Sequence, residues 1–160
     1  MMITGRAYWF KANGTPRKNK FNPDIPQWTF DLAVDPENAQ KLLDAGMKKT
    51  YLRDKDDERG TFVSFSRDAI KKDKTEGKPY KIVDAQGQPF PDDKAVGNGS
   101  TVNVVVSLNE RTFRGEKFLK PSAVAIQIWD LIQYDSGAFP TKDASLGDTS
   151  PETQEASEAW

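Results

Sequence analysis

The sequence predicts an all-β protein with a small α component. The expected architecture is an OB-fold, a five-stranded Greek-key barrel with one short helix, followed by a disordered C-terminal tail. Three observations carry this. About five segments alternate with the two-residue period of strands, only one segment has helical spacing, and the connections are long and irregular, which suits a small closed barrel better than a βαβ arrangement. The division falls at 1–134 for the barrel and 135–160 for the tail.

The first strand is expected over Ile3 to Ala12, with Arg6, Tyr8 and Phe10 on one side and Gly5, Ala7 and Trp9 on the other. A basic loop with three prolines follows, from Asn13 to Pro26. Gln27 to Asp35 then alternates strictly, placing Trp28, Phe30, Leu32 and Val34 on one face. Asp35-Pro36-Glu37 supplies an N-cap, a proline at N1 and an acid in the first turn; Ala39, Leu42 and Leu43 continue a helix that Gly46 stops. Lys48 to Gly60 reads as a charged loop, Thr61 to Arg67 as a strand, Lys71 to Lys78 as a polar loop and Tyr80 to Ala85 as a short strand ending at Gln86-Gly87. Gly97-Asn98-Gly99 introduces the most apolar strand, Thr101 to Leu108. After a basic, aromatic link from Arg111 to Lys120, Ser122 to Tyr134 pairs with it, turning Val124, Ile126 and Ile128 inward. Beyond Tyr134 only Phe139, Leu146 and Trp160 are large and apolar, too few to offset the entropy of ordering.

The composition excludes whole classes of chemistry. With no cysteine and no histidine there are no disulfides, no zinc-thiolate or histidine metal sites, and no triad of the serine or cysteine type. Cysteine-free usage fits a reducing compartment, no stretch is long and apolar enough to span a membrane, and the N-terminus lacks the marks of a signal peptide. No cofactor or metal is expected. The acids Asp54, Asp56, Asp57 and Glu58 do not make a calcium loop, because Arg59 falls where an EF-hand needs glycine. Asn98-Gly99-Ser100 matches the glycosylation sequon, as does Asn13-Gly14-Thr15, and both read as turns.

The net charge of −1 conceals an asymmetry. Residues 135–160 hold six acids against Lys142, whereas 1–134 hold 22 basic and 18 acidic residues, a body of +4 joined to a tail of −5. Within the body, basic residues interleave with aromatics, the combination that holds a single nucleic-acid strand by phosphate contacts and base stacking. The candidates are Arg6, Tyr8 and Phe10; Arg17, Lys18, Lys20 and Phe21; Arg59, Phe62, Arg67, Lys71 and Lys72; and Arg111 and Phe113. In Arg59 to Arg67 the two phenylalanines lie three positions apart, so a regular strand sends them to opposite faces. Phe65 shares the apolar face and Phe62 stands beside Ser64 and Ser66, which makes Phe62 the stacking candidate, with Arg59 and Arg67 near phosphates. Trp9, Trp28, Phe30 and Trp129 are expected in the core. In the tail, Glu152, Glu155 and Glu158 lead to Trp160, a layout suited to docking in a basic, apolar-lined pocket.

The order of features in GNGSTVNVVVSL, the polar and aromatic link, SAVAIQIWDLIQY and the acidic tail with its terminal aromatic resembles the single-stranded DNA-binding proteins of short-tailed phages. TFVSFSR is similar to the family's central strand, although its two phenylalanines are three apart rather than two. The resemblance implies a protein that coats single-stranded DNA without sequence preference during phage replication and recombination, in the cytoplasm of the infected bacterium. It implies no enzyme activity, a tail that shields the DNA groove and contacts replication proteins such as DNA polymerase, and it allows a homodimer. The terminal Trp160 departs from the more familiar Phe. An OB-fold protein-interaction module and a carboxylate-dependent nuclease are the alternatives.

Overall fold

A computed structural model describes residues 1–18, 25–70 and 75–133. The strands are β1 (Met2–Lys11), β2 (Gln27–Ala33), β3 (Arg53–Asp54), β4 (Thr61–Asp68), β5 (Lys81–Val83), β6 (Ser100–Phe113) and β7 (Glu116–Asp130), with one helix, α1 (Pro36–Asp44). They form one sheet in the order β3-β4-β2-β1-β6-β7-β5. Five long strands make the barrel, and the chain's return from β4 to place β6 beside β1 is the Greek-key step of an OB-fold. Neighbours pair antiparallel except β5, which runs parallel to β7.

Strict alternation in β2 turns Trp28, Phe30 and Leu32 into the core, and Val34 just beyond the strand continues it, as the sequence predicts. There they meet Ile3 and Phe10 of β1, Val63 and Phe65 of β4, and Val102, Val104, Ile126 and Ile128 of the β6–β7 pair. Phe30 is the hub of an aromatic cluster, with ring centroids 5.5 Å from Phe10, 5.1 Å from Phe65 and 5.7 Å from Tyr80. At the head of α1, Asp35 accepts a hydrogen bond from the Asn38 backbone N–H at 2.8 Å, and Pro36 occupies the first helical position, where its missing donor costs nothing.

The structure departs from simple alternation at bulges. In β1 the register slips between Tyr8 and Lys11, and Trp9 takes a left-handed φ of 50°. That extra residue sends Phe10 inward to 9% exposure and leaves Trp9 half exposed, the reverse of the expectation for both. A bulge between Val105 and Val106 likewise leaves Val124 exposed, and Trp129 is exposed by ordinary alternation from the inward Ile128; the sequence suggested core positions for both. Arg111 to Lys120 is no loose link. It is the far end of the β6–β7 hairpin, turned by Arg114 and Gly115, whose φ values of 52° and 81° are both left-handed. Part of the expected loop 48–60 is also ordered, as a 3₁₀ turn at Lys49–Tyr51 and the edge strand β3.

Candidate functional site

Alternation that buries one face of β1, β2 and β4 presents the other. Cross-strand pairing lines up Arg6 with Ala33 and Phe62, Tyr8 with Asp31 and Ser64, and Lys11 with Thr29 and Ser66. The outer face therefore carries a floor of small hydroxyl groups at Thr29, Ser64 and Ser66. Beside it, a recess of about 370 Å³ is lined by those three residues with Asp31, Phe65, Tyr51, Arg53 and Lys120.

Long-range contacts assemble its walls. The Lys48 backbone N–H donates to the Leu119 carbonyl, and Met47 bridges to Leu119, which docks residues 47–51 against the start of β7. Tyr51 and Phe118 then face each other at 6.3 Å, with the Lys48 ammonium 4.8 Å above the Phe118 ring. Further along the hairpin, Phe113 is 62% exposed beneath the Arg114 guanidinium, and Arg111 and Lys117 are exposed. Rings and cations thus alternate from the hairpin tip to the recess.

The sequence candidates divide sharply. Arg6 is exposed on the outer face, and Arg17 and Lys18 are exposed in the loop after β1. Arg111 and Phe113 stand free on the hairpin. Phe62 lies on the outer face as expected, yet it is only 1% exposed and cannot stack a base as it stands. Arg59 covers it, the guanidinium sitting 4.0 Å from the ring centroid. That guanidinium donates to Asp57 at 2.5 Å and Asp31 at 2.6 Å, so it is already paired with two carboxylates rather than open to phosphate. The hydrogen bonds from the Arg59 side chain, and next those from its backbone N–H, pull the Asp57 carboxyl down to about 2, and Asp57 in turn pushes Arg59 up. Tyr8 is buried beside this latch, its hydroxyl reaching the Glu58 carbonyl at 3.5 Å.

Two more candidates are structural. Phe10 is core, for the bulge reason above. Arg67 reaches across the barrel seam, donating to the Ala123 carbonyl of β7 at 2.9 Å and to the Pro79 carbonyl at 3.2 Å, with Tyr80 stacked beneath it at 4.5 Å. Lys20, Phe21, Lys71, Lys72 and the tail residues Glu152, Glu155, Glu158 and Trp160 lie outside the described residues. Sequence reasoning missed Tyr51 and Arg53, and took Lys120 only as the end of the basic, aromatic link. The signal was there in Lys48-Lys49-Thr50-Tyr51, which has the same basic and aromatic interleaving, but nothing local said that it would meet β7.

No family model matches the chain, and no curated protein matches it in sequence. Solved structures do. The single-stranded DNA-binding protein gp2.5 encoded by bacteriophage T7 superposes with a TM-score of 0.58 at 16% identity, over 98% of both chains. The fold is that of phage single-stranded DNA-binding proteins. The corresponding protein of bacteriophage Enc34 agrees, with a TM-score of 0.54 at 12% identity over 89% of this chain and 87% of that one. Its complex with single-stranded DNA also gives 0.54, at 10% identity over 83% and 85%. At such identities the shared property is the fold, and the site must be argued from this chain's own residues.

Proposed function

We propose that this protein binds single-stranded DNA without sequence preference, along the outer face of β2 and β4 and the adjoining hairpin. The observation that carries the reading is the recess in which Tyr51, Arg53 and Lys120 stand around a hydroxyl floor, continuous with the exposed rings and cations of the hairpin. Tyr51 and Phe113 stack bases. Arg53, Lys120, Arg111 and Lys117 contact phosphates, and Arg6, Arg17 and Lys18 extend the basic border. The fold's occurrence in a phage protein solved with single-stranded DNA supports single-stranded DNA as the ligand.

In this reading the protein coats single strands during phage DNA replication and recombination in the cytoplasm of the infected bacterium. The acidic segment 135–160 competes with DNA for the groove and recruits replication proteins such as DNA polymerase. Titration of the protein with oligo-dT and with duplex DNA at several salt concentrations is the test. Oligo-dT should bind more tightly, with an affinity that falls as salt rises. Equal affinity for the two forms overturns the proposal.

A further inference from the structure

Trp9 stands apart from the other tryptophans in how the backbone treats it. Ala7 and Phe10 on either side of it belong to the core, so a regular strand would fit one ring inward and leave no reason for the next. Instead Trp9 adopts φ 50°, a conformation that an L side chain bearing a Cβ avoids, and its indole is 50% exposed. Strain of this kind persists only where neighbouring structure holds it, and it concentrates where a protein binds its ligand.

The neighbouring structure is visible. A bulge removes the Trp9 N–H from the strand ladder, and the Asn98 side-chain carbonyl accepts it at 2.9 Å. The turn carrying Asn98 is itself fastened to β1, because the Gly99 N–H donates to the Ala7 carbonyl at 2.8 Å. The bulge lies between the row Tyr8–Asp31–Ser64 and the row Lys11–Thr29–Ser66. The register thus sets the exposed Trp9 next to the row Lys11–Thr29–Ser66, whose Thr29 and Ser66 line the recess and whose Lys11 is exposed.

We propose that Trp9 is a base-stacking residue of this surface, with Asn98 the positioning residue that holds the bulge aiming it. The path of the strand then runs from the hairpin and Tyr51 across Thr29 and Ser66 to a second aromatic platform at Trp9. The inference rests on the single-strand reading above.

The test uses the full chain with oligo-dT. Trp9→Ala should weaken binding roughly 5- to 150-fold, the range for loss of one stacked base, whereas Trp9→Phe should stay within a few-fold of the parent. Trp9→Gly is the folding control. Glycine accepts φ 50° without strain, so this variant should melt no lower than the parent while binding as weakly as Trp9→Ala. Asn98→Ala should weaken binding in the parent and have no further effect in the Trp9→Gly background. The intrinsic fluorescence quenched by oligo-dT should largely disappear in Trp9→Phe and persist in Trp129→Phe, whose indole is also exposed but lies two strands away on β7. If the parent prefers oligo-dT to duplex while Trp9→Gly binds as tightly as the parent, the stacking role fails and the groove stands. If the parent shows no such preference, the groove reading fails, and this inference with it.

Discussion

Arg59 donates to Asp31 and Asp57 while its guanidinium covers Phe62, and its side chain is only 14% exposed. Removing it does two things at once. Among the described residues Asp31 loses its charged partner and keeps the Ser64 hydroxyl, and an apolar ring opens to water. Arg59→Ala should therefore lower stability by about 1–3 kcal/mol, read as a lower denaturation midpoint at constant slope; an unchanged midpoint would show the latch to be idle. Tyr80 makes the opposite kind of case. Its hydroxyl is buried with no hydrogen-bond partner among the described residues, and burial pushes its ionisation well above the ordinary tyrosine value of 10.0. The folded state thus holds the phenol proton more tightly than the unfolded chain does. Stability from this group is complete below pH 10 and declines as the pH rises past it. Chemical denaturation at neutral and at alkaline pH should show a drop that Tyr80→Phe reduces, and Tyr80→Phe should cost little at neutral pH because it deletes an unpaired hydroxyl.

Among the elements, the β6–β7 hairpin separates binding from folding most cleanly. Its base carries Val102, Val104, Ile126 and Ile128 into the core, while its tip bears Arg111, Phe113 and Lys117 in solvent. Phe113→Ala and Arg111→Ala should change stability by no more than about 0.5 kcal/mol, yet each should weaken oligo-dT binding; a lowered melting temperature with unchanged binding would place these residues in the scaffold instead. This hairpin and β2 also show how much was legible in advance. β2 was readable because all its inward residues are large and all lie two apart. α1 was readable because Asp35 and Pro36 mark its start locally. The hairpin was read as a link because no residue from Asn109 to Lys120 is fully buried, and its packing partners besides the paired strand, residues 47–51 against Phe118 and Leu119, lie far away in sequence.

For the whole molecule, residues 1–134 carry +4 and residues 135–160 carry −5, and under the proposed function these set two opposed long-range forces on one groove. Each phosphate neutralised on a single strand contributes about −0.7 to the slope of log affinity against log salt. A strand running from the hairpin to β1 should give a slope of several such units. Deleting residues 140–160 should tighten oligo-dT binding most at low salt, where the segment's own attraction to the groove is least screened; unchanged or weaker binding would remove the shielding role.

By itself the sequence determined which residues share a face where a strand runs unbroken, as in β2, where the helix begins, and how charge is divided between residues 1–134 and 135–160, since all three depend on near neighbours in the chain. Only the tertiary structure decided which of the outward residues reach solvent. Phe62 is on the outer face, but Arg59 and its two carboxylates close over it. Trp9 is exposed because a bulge capped by Asn98 reverses the alternation. Tyr51 and Lys120 share a recess because closing the barrel brings the start of β7 beside the edge of β4. Alternation fixes the direction of a side chain only while the register is unbroken; bulges, and what lies over a side chain, are set by contacts between residues far apart in sequence, and these have no local signature.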